Sequence, residues 1–166
     1  SGGFAAPGIK HWHRRVIGVD FGRLHPIETA RYVFNGAMIN AGQVCVAVKR
    51  AYVPEAIYDV FCGELARLAG EAIVDDGSKQ GTQIGPIQNS QQFEKVKEFL
   101  LDAHQNGNVI AGGAALDRPG YFIAPTIVRD VGDDARIVRE EQFGPILPVL
   151  KYQVSIGVQT GPPIGA

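Results

Sequence analysis

The sequence is poor in cysteine: Cys45 and Cys62 are the only two among 166 residues, alongside one methionine and one tryptophan. Two thiols close at most one bridge, and a chain of this size, 45% hydrophobic, can bury roughly 70% of its unfolded surface without a covalent staple. Both are read as reduced. Charge of one sign is also lacking, since 16 basic residues face 17 acidic ones for a net −1. Such a balance offers no general attraction to a phosphate backbone or an anionic bilayer, so neither nucleic acid nor membrane is an expected partner. No run reaches the ~20 apolar residues that span a bilayer, and the first thirty residues lack a basic-then-apolar leader pattern. A cytoplasmic protein is expected. Internal repeats are absent.

Glycine and proline are plentiful instead, at 21 and 10, which suits an α/β domain with many short connections. Between Pro26 and Asn40, Ile27, Ala30, Val33, Phe34, Ala37 and Met38 recur at helical spacing. Gly42 interrupts that helix, and Val44, Val46 and Val48 alternate with other residues as far as Val53, which predicts a strand. Pro54 suits the first turn of a second helix, with Ile57, Val60, Phe61, Leu65 and Leu68 forming its apolar stripe. The stretch from Asp75 to Pro86 reads as a loop. Ser90 is a candidate N-cap for a third helix that turns Phe93, Val96, Leu100 and Leu101 inward and closes at Asn106-Gly107.

Short strands are expected within Val16–Val19, at Val109-Ile110, over Tyr121 to Val128 and over Ile146 to Leu150, with Gly112-Gly113 as a turn. Pro148 pushes the last strand toward an edge or a strand end, because it cannot donate to a ladder. The alternation of helices and strands points to a mostly parallel sheet flanked by helices. Three segments are expected: a divergent N-terminal one at 1–26, a domain at 27–152 and a loose tail at 153–166.

Cys45 follows Gly42 at a point where helix yields to strand. A bend there exposes a side chain while leaving backbone amides free for a developing oxyanion, and a thiolate so placed can attack a carbonyl carbon. The bland reading is a small core residue, since free cysteine is among the most buried types. Cys62, beside Phe61 in a predicted helix, is assigned to packing on that ground. His11 and His13 could share one side of a strand, but no third ligand accompanies them, and metal centres usually take three or four.

The run from Phe34 through Asn40-Ala41-Gly42-Gln43-Val44-Cys45 to Lys49-Arg50 closely resembles the active-site cysteine signature of the aldehyde dehydrogenase superfamily. Gly85-Pro86 before a glutamine-rich helix, Gly120 to Ile127, and Glu140-Glu141-Gln142-Phe143-Gly144-Pro145 look like later landmarks of the same catalytic domain, in the same order. The likeness runs from about Tyr32 to Tyr152. It implies an aldehyde substrate, Cys45 as the nucleophile that forms a thiohemiacetal with its own amide as one oxyanion donor, and NAD or NADP as hydride acceptor. It further implies Glu141 as the residue holding the nicotinamide ribose hydroxyls, Phe143 as the aromatic bordering the nicotinamide, and Asn40, Gly42 and Gln43 as the turn shaping the cysteine loop. Taken singly, Glu140-Glu141 would be a solvated charge pair and Phe143 a packing residue.

The resemblance fades at both borders. The Glu-Leu-Gly-Gly motif that carries the family's general base is absent, His11-Trp12-His13-Arg14-Arg15 stands in that region, and Glu28 does not match its position. No dinucleotide-binding domain fits into the thirty residues before the signature. A truncated catalytic domain is therefore expected, one that binds no cofactor by itself, and whose uncovered apolar surface drives homo-oligomerisation. The competing reading is an inactive remnant that acts only by self-association.

Overall fold

The computed structural model describes residues 16–18 and 25–153. The readings made for His11, His13 and the tail beyond residue 153 lie outside them. Strand β1 (Val16–Gly18) precedes helix α1 (Pro26–Met38), a 3-10 turn at Ile39–Gly42, and strand β2 (Arg50–Pro54). A second 3-10 turn at Glu55–Ile57 leads into α2 (Tyr58–Glu71), followed by α3 (Ser90–Asn106), β3 (Asn108–Ala111), β4 (Thr126–Arg129), the short α4 (Arg136–Arg139) and β5 (Ile146–Tyr152).

The strands form one sheet in the order β1-β2-β5-β4-β3. β1 with β2, β2 with β5 and β5 with β4 run parallel, and only β3 with β4 is antiparallel, so the mostly parallel α/β class expected from the alternation is the one observed. A parallel neighbour needs a crossover, and helices supply it. The short Asn106-Gly107 link joins α3 to β3 at the edge, while the return from β3 to β4 passes the left-handed Gly112-Gly113 turn.

Helix α1 buries Ala30, Val33, Phe34, Ala37 and Met38, the stripe read from its spacing, and packs against α2. Helix α2 turns Tyr58, Phe61, Cys62, Leu65 and Ala69 inward. Phe61, Leu65 and Phe99 are fully buried, and each contributes about 1.5–3 kcal/mol of apolar transfer free energy. Tyr58 ties the layers together: its hydroxyl donates to the Val149 carbonyl at 2.8 Å and accepts from the Asp130 amide at 2.9 Å. The loop at 75–86 is pinned by Ile84, 1% exposed, and by the bridge between Val74 and Ile84.

Six expectations need correction. The alternation at Val44–Lys49 is not a strand: Ala47 N bonds to Val44 O and Val48 N to Gly36 O, folding the segment back over the end of α1. Pro54 ends β2 rather than starting a helix, which leaves α2 to begin at Tyr58. The N-cap of α3 is Asn89, whose side chain accepts from Gln92 N, and Leu101 faces solvent while Phe99 and Ala103 take the inner face. On α2, Val60 is 54% exposed, because positions 58, 61, 62, 65 and 69 already define the buried stripe. Residues 121–125 precede β4 as loop, with Ile123 bridged to Ala115.

Pro148 teaches the most about the sheet. β5 is central rather than at the edge, and its pairing with β4 ends at Pro148 while its pairing with β2 begins at Val149. The residue without an amide hydrogen therefore sits at the handover between two ladders, where its missing donor does least harm.

Candidate functional site around Cys45

Cys45 is exposed, on a turn between the end of α1 and the start of β2. The backbone that delivers it there is unusual. Asn40, Ala41 and Gly42 have φ of 48°, 53° and 71°, three consecutive residues in the left-handed region. For an L-residue such as Ala41 this conformation costs roughly 1–2 kcal/mol, so the surrounding structure must hold it. Among the described residues the Cys45 amide makes no hydrogen bond, which leaves a donor beside the sulfur.

Gly42 is required for a second reason. A Cβ at this position would lie 2.2 Å from the Gly144 carbonyl oxygen, so the cysteine loop and the Glu140–Pro145 segment touch backbone to backbone. Gly144 is itself pressed from the other side, where an added Cβ would meet Val96 of α3 at 2.6 Å. Two glycines thus let three layers close together.

Side chains complete the join. Gln43 reaches the loop before α3, donating from Nε2 to Pro86 O at 3.3 Å and accepting from Gln88 N at 2.9 Å through Oε1. Gln92, in the first turn of α3, donates from Nε2 to the carbonyls of Gln142 and Phe143 at 2.9 and 3.0 Å. The buried Gln142 donates to Ile137 O, anchoring the same segment to α4. Three stretches distant in sequence, at 40–45, 85–92 and 140–145, are thereby brought together.

Glu141 and Phe143 are each partly buried at the rim of this junction, and Phe143 too has a left-handed φ of 48°. No hydrogen bond to the Glu141 carboxylate forms among the described residues, whereas neighbouring Glu140 is spent on an ion pair with Arg136 at 3.2 Å. The two acids, alike in sequence, are therefore distinct in space. Lys49 is 4% exposed; its ammonium donates to Gly42 O and lies 5.1 Å from the centroid of the Phe143 ring. Burial pushes the Lys49 pKa below the ordinary lysine value, and the Glu141 carboxylate opposes that shift.

Cys62 stands apart from all of this. It is fully buried in α2, and burial pushes its thiol up to about 11, with Arg129 opposing. The site residues that sequence reasoning missed are Lys49, Gln92 and Gln142. The first was assigned to a strand, and the glutamines carry no periodicity of their own, so only the buried backbone carbonyls they satisfy reveal them.

The comparisons with known proteins fit this geometry. The profile of the aldehyde dehydrogenase family matches residues 27–156. A probable aldehyde dehydrogenase from a Pseudomonas species is 42% identical over 123 residues, 73% of this chain and 25% of the relative. A solved aldehyde dehydrogenase variant from Bacillus cereus superposes with a TM-score of 0.77 at 31% identity, covering 86% of this chain and 28% of that one. The 1-pyrroline-5-carboxylate dehydrogenase from Thermus, solved with bound NAD, gives a TM-score of 0.74 at 29% identity over 78% of this chain and 25% of that one. The chain thus spans about a quarter of the length of the relatives it matches. With an exposed cysteine on a left-handed turn, a glutamate and an aromatic at its rim, and a family match over most of its length, the chain belongs to the aldehyde dehydrogenase family.

Proposed function

We propose that residues 27–152 are the catalytic unit of a dehydrogenase that oxidises an aldehyde through Cys45. The observation that carries this reading is the exposure of Cys45 on a turn reached through strained backbone, its own amide unbonded among the described residues, held against Gly144 and the Glu141–Phe143 rim. The sulfur attacks the carbonyl carbon as a thiolate, a C–S bond forms, and the developing oxyanion is met by the Cys45 amide. A nicotinamide dinucleotide, NAD or NADP, would supply the hydride acceptor when bound. Glu141 and Phe143 would hold it: a carboxylate that accepts no hydrogen bond from the described residues suits a ribose diol, and a half-buried ring suits a flat heterocycle.

These residues make one wall of a dinucleotide site. Titrated with NAD and followed by calorimetry, this chain is expected to bind no tighter than about millimolar, since a single wall cannot offset the cost of ordering the ligand. An activated aryl ester tests the nucleophile without cofactor. The chain is expected to hydrolyse it, Cys45→Ala to abolish turnover, and Cys62→Ala to preserve it. Ordinary alkylation rates at both thiols with no turnover would end the proposal for this chain.

The same proposal includes a cytoplasmic enzyme that self-associates. Tyr32, Leu101, Val60 and Ile39 are 75%, 64%, 54% and 51% exposed, and apolar surface of this kind favours association. Among the described residues no helix is long and apolar enough to cross a membrane. Sedimentation at micromolar concentration is expected to show an oligomer, and a clean monomer would contradict it. The comparisons do not favour the alternative of a remnant that works by self-association alone.

A further inference from the structure

The cysteine loop and the Glu141–Phe143 rim are both held in left-handed backbone, at Asn40, Ala41 and Gly42 on one side and at Phe143 on the other. Each conformation persists only if something outside it supplies the holding force. Gln43 anchors the cysteine loop to 86–88, and Gln92 anchors the rim to α3. Neither glutamine side chain bonds to both. Lys49 does reach both: its ammonium donates to the Gly42 carbonyl, sits over the Phe143 ring and feels the Glu141 carboxylate. A lysine residue at 4% exposure is uncommon unless such partners compensate its lost hydration.

We infer that Lys49 is a positioning residue whose buried ammonium sets the cysteine loop in register with the Glu141–Phe143 rim, so that a change on one side is transmitted to the other. This rests on the assignment of Cys45 as nucleophile and of the rim as the cofactor wall, and it adds a residue to which the signature itself gives no role. An apolar residue of similar length would fill the same space but could neither hydrogen-bond Gly42 nor attract the ring face.

The test is a double-mutant cycle read through the rate of Cys45 alkylation by iodoacetamide, resolved by mass spectrometry, with Cys62 as internal control. In the full chain, Phe143→Leu is expected to change the Cys45 rate by about twofold or more, although it lies on the opposite loop. In the Lys49→Met background the same substitution is expected to have little further effect, and Lys49→Arg is expected to restore part of the coupling. If the effects of Lys49→Met and Phe143→Leu simply multiply, Lys49 only fills space and the inference falls. Should Lys49→Met fail to fold, the cycle is run with Lys49→Gln, which places no cation over the ring: effects of Lys49→Gln and Phe143→Leu that simply multiply overturn the inference, and a Phe143→Leu effect that is lost in this background supports it. Ester turnover does not enter this readout, so a chain that shows coupling without turnover would sink the nucleophile assignment and leave the positioning role standing.

Discussion

Cys45 and Cys62 belong to neighbouring elements of one domain yet occupy opposite environments. Cys62 lies on regular helical backbone with no exposure, among Phe61, Tyr58 and Leu65. Cys45 lies exposed on a turn whose approach runs through three left-handed residues. The difference teaches that the packed core and the strained, exposed turn are housed separately here. The α2 core gains from burial and needs no particular reactivity, whereas the cysteine loop accepts strain that the packed neighbours at Gly144, Gln43 and Lys49 must hold.

Substitutions can break or sharpen that contrast. The largest effect on stability is expected in the core: Phe61→Ala should cost about 3–5 kcal/mol in chemical denaturation. Gly42→Ala comes next, because an added Cβ would meet Gly144 O at 2.2 Å in a backbone with φ of 71°. It should cost roughly 2 kcal/mol and change the Cys45 alkylation rate, separating the loop from the core. Tyr58→Phe removes a hydroxyl bonded to both Val149 O and Asp130 N, and should cost about 1–3 kcal/mol in the same assay.

A smaller effect is expected from pH. Burial, the first cause for both, raises the Cys62 thiol from 9.0 to about 11 and the Tyr58 hydroxyl from 10.0 to about 12. Both are neutral acids held neutral by the fold, so their contribution is complete below pH 9. It is lost as the pH rises through 9 to 12, because the unfolded chain ionises first. Thermal denaturation should show a Tm falling over that window, less steeply in Cys62→Ala. Smallest of all, Cys45→Ala should alter stability by less than about 0.5 kcal/mol while removing the exposed thiol; a larger loss would mean that the loop is part of the core after all.

Much of the fold was legible beforehand. The stripe of α1, the class of the sheet, the short first strand and the turn at Gly112-Gly113 all follow from local spacing and residue type. Two of the misreadings turn on strand pairing, which local sequence does not encode. Val44–Lys49 alternates like a strand but has no strand to pair with, and its amides turn back to Val44 O and Gly36 O instead. Pro148 looks like an edge residue until the two ladders of β5 are seen to change hands there.

Residue type and spacing alone were enough to set the inner face of α1 and a mostly parallel sheet, because periodicity and propensity act over a few residues, and the resemblance marked Cys45 as part of a family signature. The tertiary structure alone decided that Gly42 meets Gly144 and that Lys49 lies between the thiol loop and Phe143. These are contacts between segments about a hundred residues apart, and no local preference encodes them until the sheet has brought β2 beside β5.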